Sequence, residues 1–189
     1  MSEKFDLKKE KKLIEKAKKD KEAFGLLYDL YVDDVYRFVL YKVRNKHLAE
    51  DIVSETFEKA IKKMRSFRWQ GFRFSSWLYT IARNLVIDNS RKSKIEVSFE
   101  EIFSFTRDEE VESLEDKTDR KIHLKKLARE LDKLSKDQQE IIYLRFIKEL
   151  TIKETMDITG RTIDSVKSLS KRALKNLKNQ FKNEYIDEN

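Results

Sequence analysis

The chain has 189 residues, 41% of them charged and 39% hydrophobic, enough for one ordinary domain or two small ones but thin for a single large core. Its formal charge is +7, from 42 Lys and Arg against 35 Asp and Glu, and the absence of cysteine excludes disulfides and thiolate chemistry. No run approaches the roughly 18 apolar residues of a membrane span, and Met1 to Lys21 lacks the apolar stretch of a signal peptide, so the expected setting is the cytoplasm, without membrane insertion.

Proline interrupts helices and glycine weakens them. With no proline, three glycines (Gly25, Gly71, Gly160) and an abundance of Lys, Glu and Leu, the expected fold class is all-α. From about Lys21, the residues Phe24, Leu27, Tyr31, Val35 and Phe38 recur at steps of three and four and predict an amphipathic helix. Leu48, Ile52, Val53, Phe57, Ala60, Ile61 and Met64 predict a second. Beyond a loop around Gly71, Trp77, Ile81 and Leu85, with Leu78, Ala82 and Val86 alongside, predict a third. Residues 1–92 are therefore expected to form a first small helical domain.

Residues 93–122 change character. Between Ile95 and Arg120 ten acidic residues stand against three basic ones, a local balance of −7 that leaves +14 on the rest of the chain. The segment has no sustained helical period, although Phe99, Ile102, Phe103 and Phe105 allow a short docking turn. It is expected to be an acidic flexible linker between two basic modules.

Residues 123–189 form the second expected domain. Leu124, Leu127, Leu131 and Leu134 mark one helix. Ser135 with Gln138 makes a capping-box pattern that opens the next, with Ile141, Ile142, Leu144 and Phe146. Thr151 with Glu154 repeats the pattern and opens a short helix to Ile158, which Gly160 is placed to stop. Thr162 then caps a last long helix with Ile163, Val166, Ala173 and Leu177 on one face. A short helix, a glycine turn and a second helix make a helix-turn-helix.

Two stretches stand out as recognition surfaces. On the last helix Lys167, Lys171 and Lys175 are spaced by four, with Ser168 and Arg172 beside them, opposite Val166 and Ala173. A solvated lysine face has the same pattern. The capped helix and Gly160 before it favour a face that enters a DNA major groove. Of the thirteen residues from Phe67 to Tyr79, six are aromatic (Phe67, Trp69, Phe72, Phe74, Trp77, Tyr79), interleaved with Arg68 and Arg73 and flanked by Arg65, Arg83, Arg91 and Lys92. Rings among arginines suit unstacked bases, at roughly 1–3 kcal/mol per stacked base. The competing reading places most of these rings in the core.

Asp51 and Glu55 lie one helical turn apart and suit a protein-contact face better than an acidic catalytic pair. His47 and His123 are far apart and lack a metal-ligand spacing, and no glycine-rich phosphate loop exists. No catalytic residue, metal site or cofactor is expected, and the chain is not read as an enzyme.

Taken together, the stretches Ala49 to Ala60 (AEDIVSETFEKA), Phe74 to Lys92 (FSSWLYTIARNLVIDNSRK) and Leu150 to Leu177 resemble the extracytoplasmic-function (ECF) RNA polymerase sigma factors. The resemblance covers about residues 21–92 and 124–180, in the family's order. It implies a region-2-like first domain and a region-4-like second domain that bind core RNA polymerase and promoter DNA, duplex and melted. It leaves room for an anti-sigma factor as a further partner. The helix with Asp51, Glu55 and Phe57 would bind the clamp helices of the largest polymerase subunit. The loop from Arg68 to Ser75, with Trp69, Phe72, Arg73 and Phe74, would hold a base flipped from the minus-ten element. Trp77, Arg83 and Asn84 would contact the melted junction. The helix from Thr162 would read the minus-thirty-five element through Lys167, Ser168, Lys171 and Arg172, and the acidic linker would thread toward the RNA exit path.

Three positions depart from the family pattern. Arg161 and Thr155 stand where aliphatic residues are usual, and Leu169 where an arginine is frequent, so the turn helix is expected to pack differently. A stand-alone helix-turn-helix regulator of duplex DNA is the alternative, but it accounts only for residues 150–177. A basic helical nuclease would need a metal cluster that the sequence does not offer.

Overall fold

The structure, a computed structural model, describes residues 7–89, 97, 123 and 125–187. The expected acidic linker therefore lies outside the described residues apart from Val97, as do Arg91, Lys92 and Leu124. Among the described residues all regular structure is helical. The chain divides into two compact units, the first holding α1 (Leu7–Ala17), α2 (Lys21–Val43), α3 (Lys46–Lys63) and α4 (Phe74–Asn89). The second holds α5 (Lys136–Ile142), most of α6 (Ile152–Thr159) and α7 (Ile163–Asp187).

In the first unit the helix ends are set by local chemistry. Asp20 has extended backbone geometry and its carboxylate accepts the Glu22 N–H at 2.9 Å, so α2 starts there. α2 stops at Arg44, whose φ of 52° is left-handed and whose N–H donates to the Leu40 carbonyl at 2.8 Å. Asn45 follows at once as the cap of α3, accepting the Leu48 N–H at 2.8 Å. Two residues thus reverse the chain between long helices.

The core matches the predicted period of α2 and most of that of α3, where Leu48 is half-buried and Ile61 is exposed. Phe24, Leu27, Tyr31, Val35 and Phe38 of α2 are buried with Ile52, Val53, Phe57 and Ala60 of α3. α4 adds Leu78, Ala82, Leu85 and Val86, while Trp77 and Ile81 sit half-buried at the border. The sequence pattern does not announce α1. Its inward face is Glu10, Ile14 and Ala17, and a carboxylate in the first of these places hides the apolar period.

In the second unit residues 125–132 are helical, and Gln139 locks the turn that follows by donating to the carbonyls of Leu131 and Leu134, each at 2.9 Å. Both expected capping boxes form. The Ser135 hydroxyl accepts the Gln138 N–H, and the Gln138 side chain accepts the Ser135 N–H, each at 3.3 Å. The Thr151 hydroxyl accepts the Glu154 N–H at 3.2 Å, and Glu154 accepts the Thr151 N–H at 2.8 Å. Gly160 ends α6 with a φ of 68°, its N–H donating to the Met156 carbonyl at 2.8 Å, and the Thr162 hydroxyl accepts the Ser165 N–H at 3.3 Å.

Like α1, the next element was not expected. After Ile142 the helix widens into a π turn, Tyr143–Ile147, closed by the Lys148 N–H on the Tyr143 carbonyl at 2.9 Å. Phe146, named with the apolar residues of this helix, is exposed there.

The three departures from the family pattern each find a local partner. Leu169 joins Ile141 and Val166 in the core of the helix-turn-helix, with Ile152 and Met156 packed against them. Thr155 is fully buried, and its hydroxyl donates to the Thr151 carbonyl at 2.9 Å. Arg161 pairs with Asp137 at 2.7 Å and so ties the turn to the start of α5.

Candidate nucleic-acid and protein interfaces

α3 ends in a short 3-10 turn, Met64–Ser66, and the chain then crosses an open loop to the start of α4. Gly71 takes a φ of 85°, a left-handed conformation that permits the bend. Three rings anchor the loop at its two ends. Phe67, Phe74 and Trp77 pack mutually, with centroids 4.6 to 5.5 Å apart, and Tyr31 lies 5.8 Å from Phe74 on the inner side.

The loop residues then sort by depth. Arg68 and Arg73 are exposed, and Trp69 and Phe72 are half-buried. Lys11 of α1 holds its ammonium 5.0 Å from the Trp69 ring centroid. Phe74, expected to hold a base, is 0% exposed and forms the floor of the loop instead. Its ring is closed in by Tyr31, Phe67 and Trp77. Along α4, Trp77 and Asn84 are seven residues apart and share a face, Asn84 exposed and Trp77 half-buried, while Arg83 is half-buried beside them.

Beneath the loop lies a group that the sequence pattern did not single out. Glu10 of α1 is 2% exposed, and its Oε1 accepts the Phe74 N–H at 2.7 Å. The same oxygen accepts the hydroxyl of Tyr31 in a short hydrogen bond. Burial pushes the Tyr31 phenol well above its ordinary range, and the Glu10 hydrogen bond and charge push it further, so it stays a donor. The one sequence signal was the spacing Glu10, Ile14, Ala17, a helical stripe with a charge in it.

On α3, Asp51 is exposed and Glu55 half-exposed, the latter paired with Lys59 at 2.8 Å. Phe57, expected at this surface, is buried, its ring edge-on to Tyr28 at 4.7 Å. Tyr28, 41% exposed, is the aromatic that this part of the unit presents to solvent.

Thr162, just before α7, and Lys167, Ser168, Lys171 and Arg172 on it are all exposed, while Val166, Leu169, Ala173 and Leu177 are buried on the opposite side; Ile163, expected on that apolar face, is exposed instead. The helix period therefore delivers the predicted basic face intact, one turn beyond a rigid glycine stop. Part of the Thr162 hydroxyl's capacity is spent on capping the helix. The described residues contain no cluster of three or more His, Cys, Asp or Glu that could hold a metal ion, and no described helix is long and apolar enough to cross a membrane.

Comparison with known proteins matches this arrangement. Residues 27–95 match the Sigma-70 region 2 family and residues 131–179 the Sigma-70, region 4 family. The chain is similar to the ECF RNA polymerase sigma factor BldN of Streptomyces coelicolor, 37% identical over 87% of this chain and 63% of that protein, which is less than two thirds of its length. It is 32% identical to the ECF RNA polymerase sigma factor SigM of Bacillus subtilis over 86% of this chain and 97% of that one. The fold is similar to that of the sigma factor RpoE of Bartonella quintana, solved with the anti-sigma factor NepR, at a TM-score of 0.62 and 24% identity over 84% of this chain and 96% of that one.

Proposed function

The chain belongs to the ECF group of RNA polymerase sigma factors, and from that premise we propose how its surfaces divide the work of starting transcription. A sigma factor is a non-catalytic initiation factor, and this chain, on our reading not an enzyme, acts by binding alone, on the polymerase of the cytoplasm. Residues 1–92 form the domain that binds core polymerase and the minus-ten element, residues 93–122 the connecting segment, and residues 123–189 the domain that binds the minus-thirty-five element.

The observation that carries this reading is the loop before α4, where half-buried Trp69 and Phe72 stand between exposed Arg68 and Arg73. Rings only half-buried, beside exposed arginines, suit a stacking platform for an unpaired base. The arginines supply phosphate and cation–π contacts at the same place. Trp77 and Asn84 continue the surface along α4, with Arg83 at its side. Lys167, Ser168, Lys171 and Arg172 meet the upstream duplex in its major groove, with Thr162 at the helix entrance. Asp51 and Glu55, with Tyr28 over the buried Phe57, form the face for core polymerase. An anti-sigma factor would compete for these same surfaces.

In vitro transcription with core polymerase on a promoter library tests the reading, the expected result being initiation at a shared pair of upstream motifs. Reversing the charges of Asp51 and Glu55 should weaken core binding while circular dichroism stays unchanged. Normal core binding by that variant would remove the α3 face from the assignment.

A further inference from the structure

We infer that Glu10, outside the stretch matched to the family, is a positioning residue that sets the minus-ten loop for base capture, a role that rests on the loop assignment just proposed and deepens it.

The first N–H groups of a helix have no partner within it and need one from elsewhere. At α4 the loop residue Arg73 serves one of them, its carbonyl accepting the Ser76 N–H at 3.0 Å, and the Phe74 N–H is served from α1 by Glu10. A carboxylate at that end also meets the positive pole of the helix dipole. Glu10 is therefore a cap supplied from 64 residues away, and it fixes where α4 begins and where the loop must end. Tyr31 holds the same carboxylate oxygen from α2, so the cap cannot swing out. One residue further along α1, Lys11 sits over the Trp69 ring. A single turn of α1 thus grips both the last residue of the loop's path and the ring proposed to stack on a base.

Without the Glu10 carboxylate the buried Phe74 N–H loses its acceptor, and the loop's end can relax into other geometries. Base capture needs one geometry, so the competent fraction falls and apparent affinity for unpaired bases falls with it. Core polymerase and duplex contacts, made by α3 and α7, do not depend on where the loop ends.

The test uses the whole chain and reads three affinities: the free protein for core polymerase, and the reconstituted holoenzyme for a duplex carrying the selected minus-thirty-five motif and for a single-stranded oligonucleotide carrying the selected minus-ten motif. Glu10→Ala should weaken oligonucleotide binding about tenfold or more, the scale of losing a hydrogen bond to a charged group, with core and duplex affinities within about twofold of the parent. Glu10→Gln, whose amide oxygen can accept both hydrogen bonds, should restore most of the loss. Tyr31→Phe, which frees the cap without removing it, should fall between them. Oligonucleotide binding unchanged in Glu10→Ala, equal loss in Glu10→Gln, or parallel loss on all three probes would overturn the inference. Arg68→Ala and Trp69→Ala separate it from its premise. Loss in these but not in Glu10→Ala overturns the positioning role alone, and no loss in any of them overturns the loop assignment together with it.

Discussion

Phe74 and Arg68 lie six residues apart in one aromatic–arginine stretch, yet different forces hold them. Phe74 is fully buried and ringed by Tyr31, Phe67 and Trp77, so Phe74→Ala removes a large apolar volume from a packed site. We expect a loss of about 3–5 kcal/mol in urea unfolding. Arg68→Ala removes an exposed side chain and should shift stability by no more than about 0.5 kcal/mol, while single-strand binding falls. The motif's residue types were readable in the sequence, but which ring faces inward was not. Phe74 and Phe57 are the two places where this mattered, because an aromatic ring suits a core and a binding surface equally. Asp20 offers a pH test at the same scale. Its carboxyl is held below the ordinary aspartate value of 3.8, first by the Glu22 N–H it accepts, with Ala23 N–H and Lys16 adding to this. A depressed folded pKa means the cap's contribution is present above the unfolded value and is lost as pH falls through the folded one. An NMR titration should find Asp20 below the unfolded reference, and Asp20→Asn, which keeps an acceptor, should lose that part of the acid dependence.

Helix ends were the best-read elements, because caps are local. The Ser135/Gln138 and Thr151/Glu154 boxes, the Gly160 stop and the Thr162 cap are set by residues within a few positions of one another, and each forms as the spacing predicts. Thr151→Ala should cost about 1 kcal/mol. Gly160→Ala should cost about the same or more, since its φ of 68° disfavours any Cβ although nothing within 4 Å would touch one. Gly25 gives the opposite sign. It lies inside α2, and a Cβ there meets nothing within 4 Å. Gly25→Ala should stabilise by roughly 0.5–1 kcal/mol, read as a rise in Tm. Two elements escaped the sequence for non-local reasons. α1 is held by a carboxylate whose partners sit on α2 and α4, and the Tyr143–Ile147 turn is wound by a hydrogen-bond register that leaves the residue pattern unchanged.

At the scale of the whole molecule, charge is segregated along the chain. Residues 95–120 carry −7 and the remainder +14. Phosphate contacts release counterions, so affinity for DNA falls with salt by about one power per contact. Alanine at Lys167, Lys171 and Arg172 should flatten the salt dependence of duplex binding by about one counterion for each phosphate left without its cation. Replacing the acidic residues of 95–120 by their amides should do the reverse for the free protein, raising its affinity for arbitrary duplex, because like charge near the backbone is removed. Fluorescence anisotropy at several salt concentrations reads both effects.

The hydrogen bond from Phe74 to Glu10 also imposes an order of events during synthesis. Its partners are separated by 64 residues of chain, about 3–13 s of translation at 5–20 residues per second. For that interval the Glu10 carboxylate lacks its α4 donor, and of its two partners only Tyr31, 21 residues on, can already have reached it. The bond closes only when almost the whole first unit has emerged, so an incomplete chain carries no finished loop before α4. A long-range pairing of this kind slows folding. A fragment ending before α4 therefore lacks the donor that fixes the end of the loop.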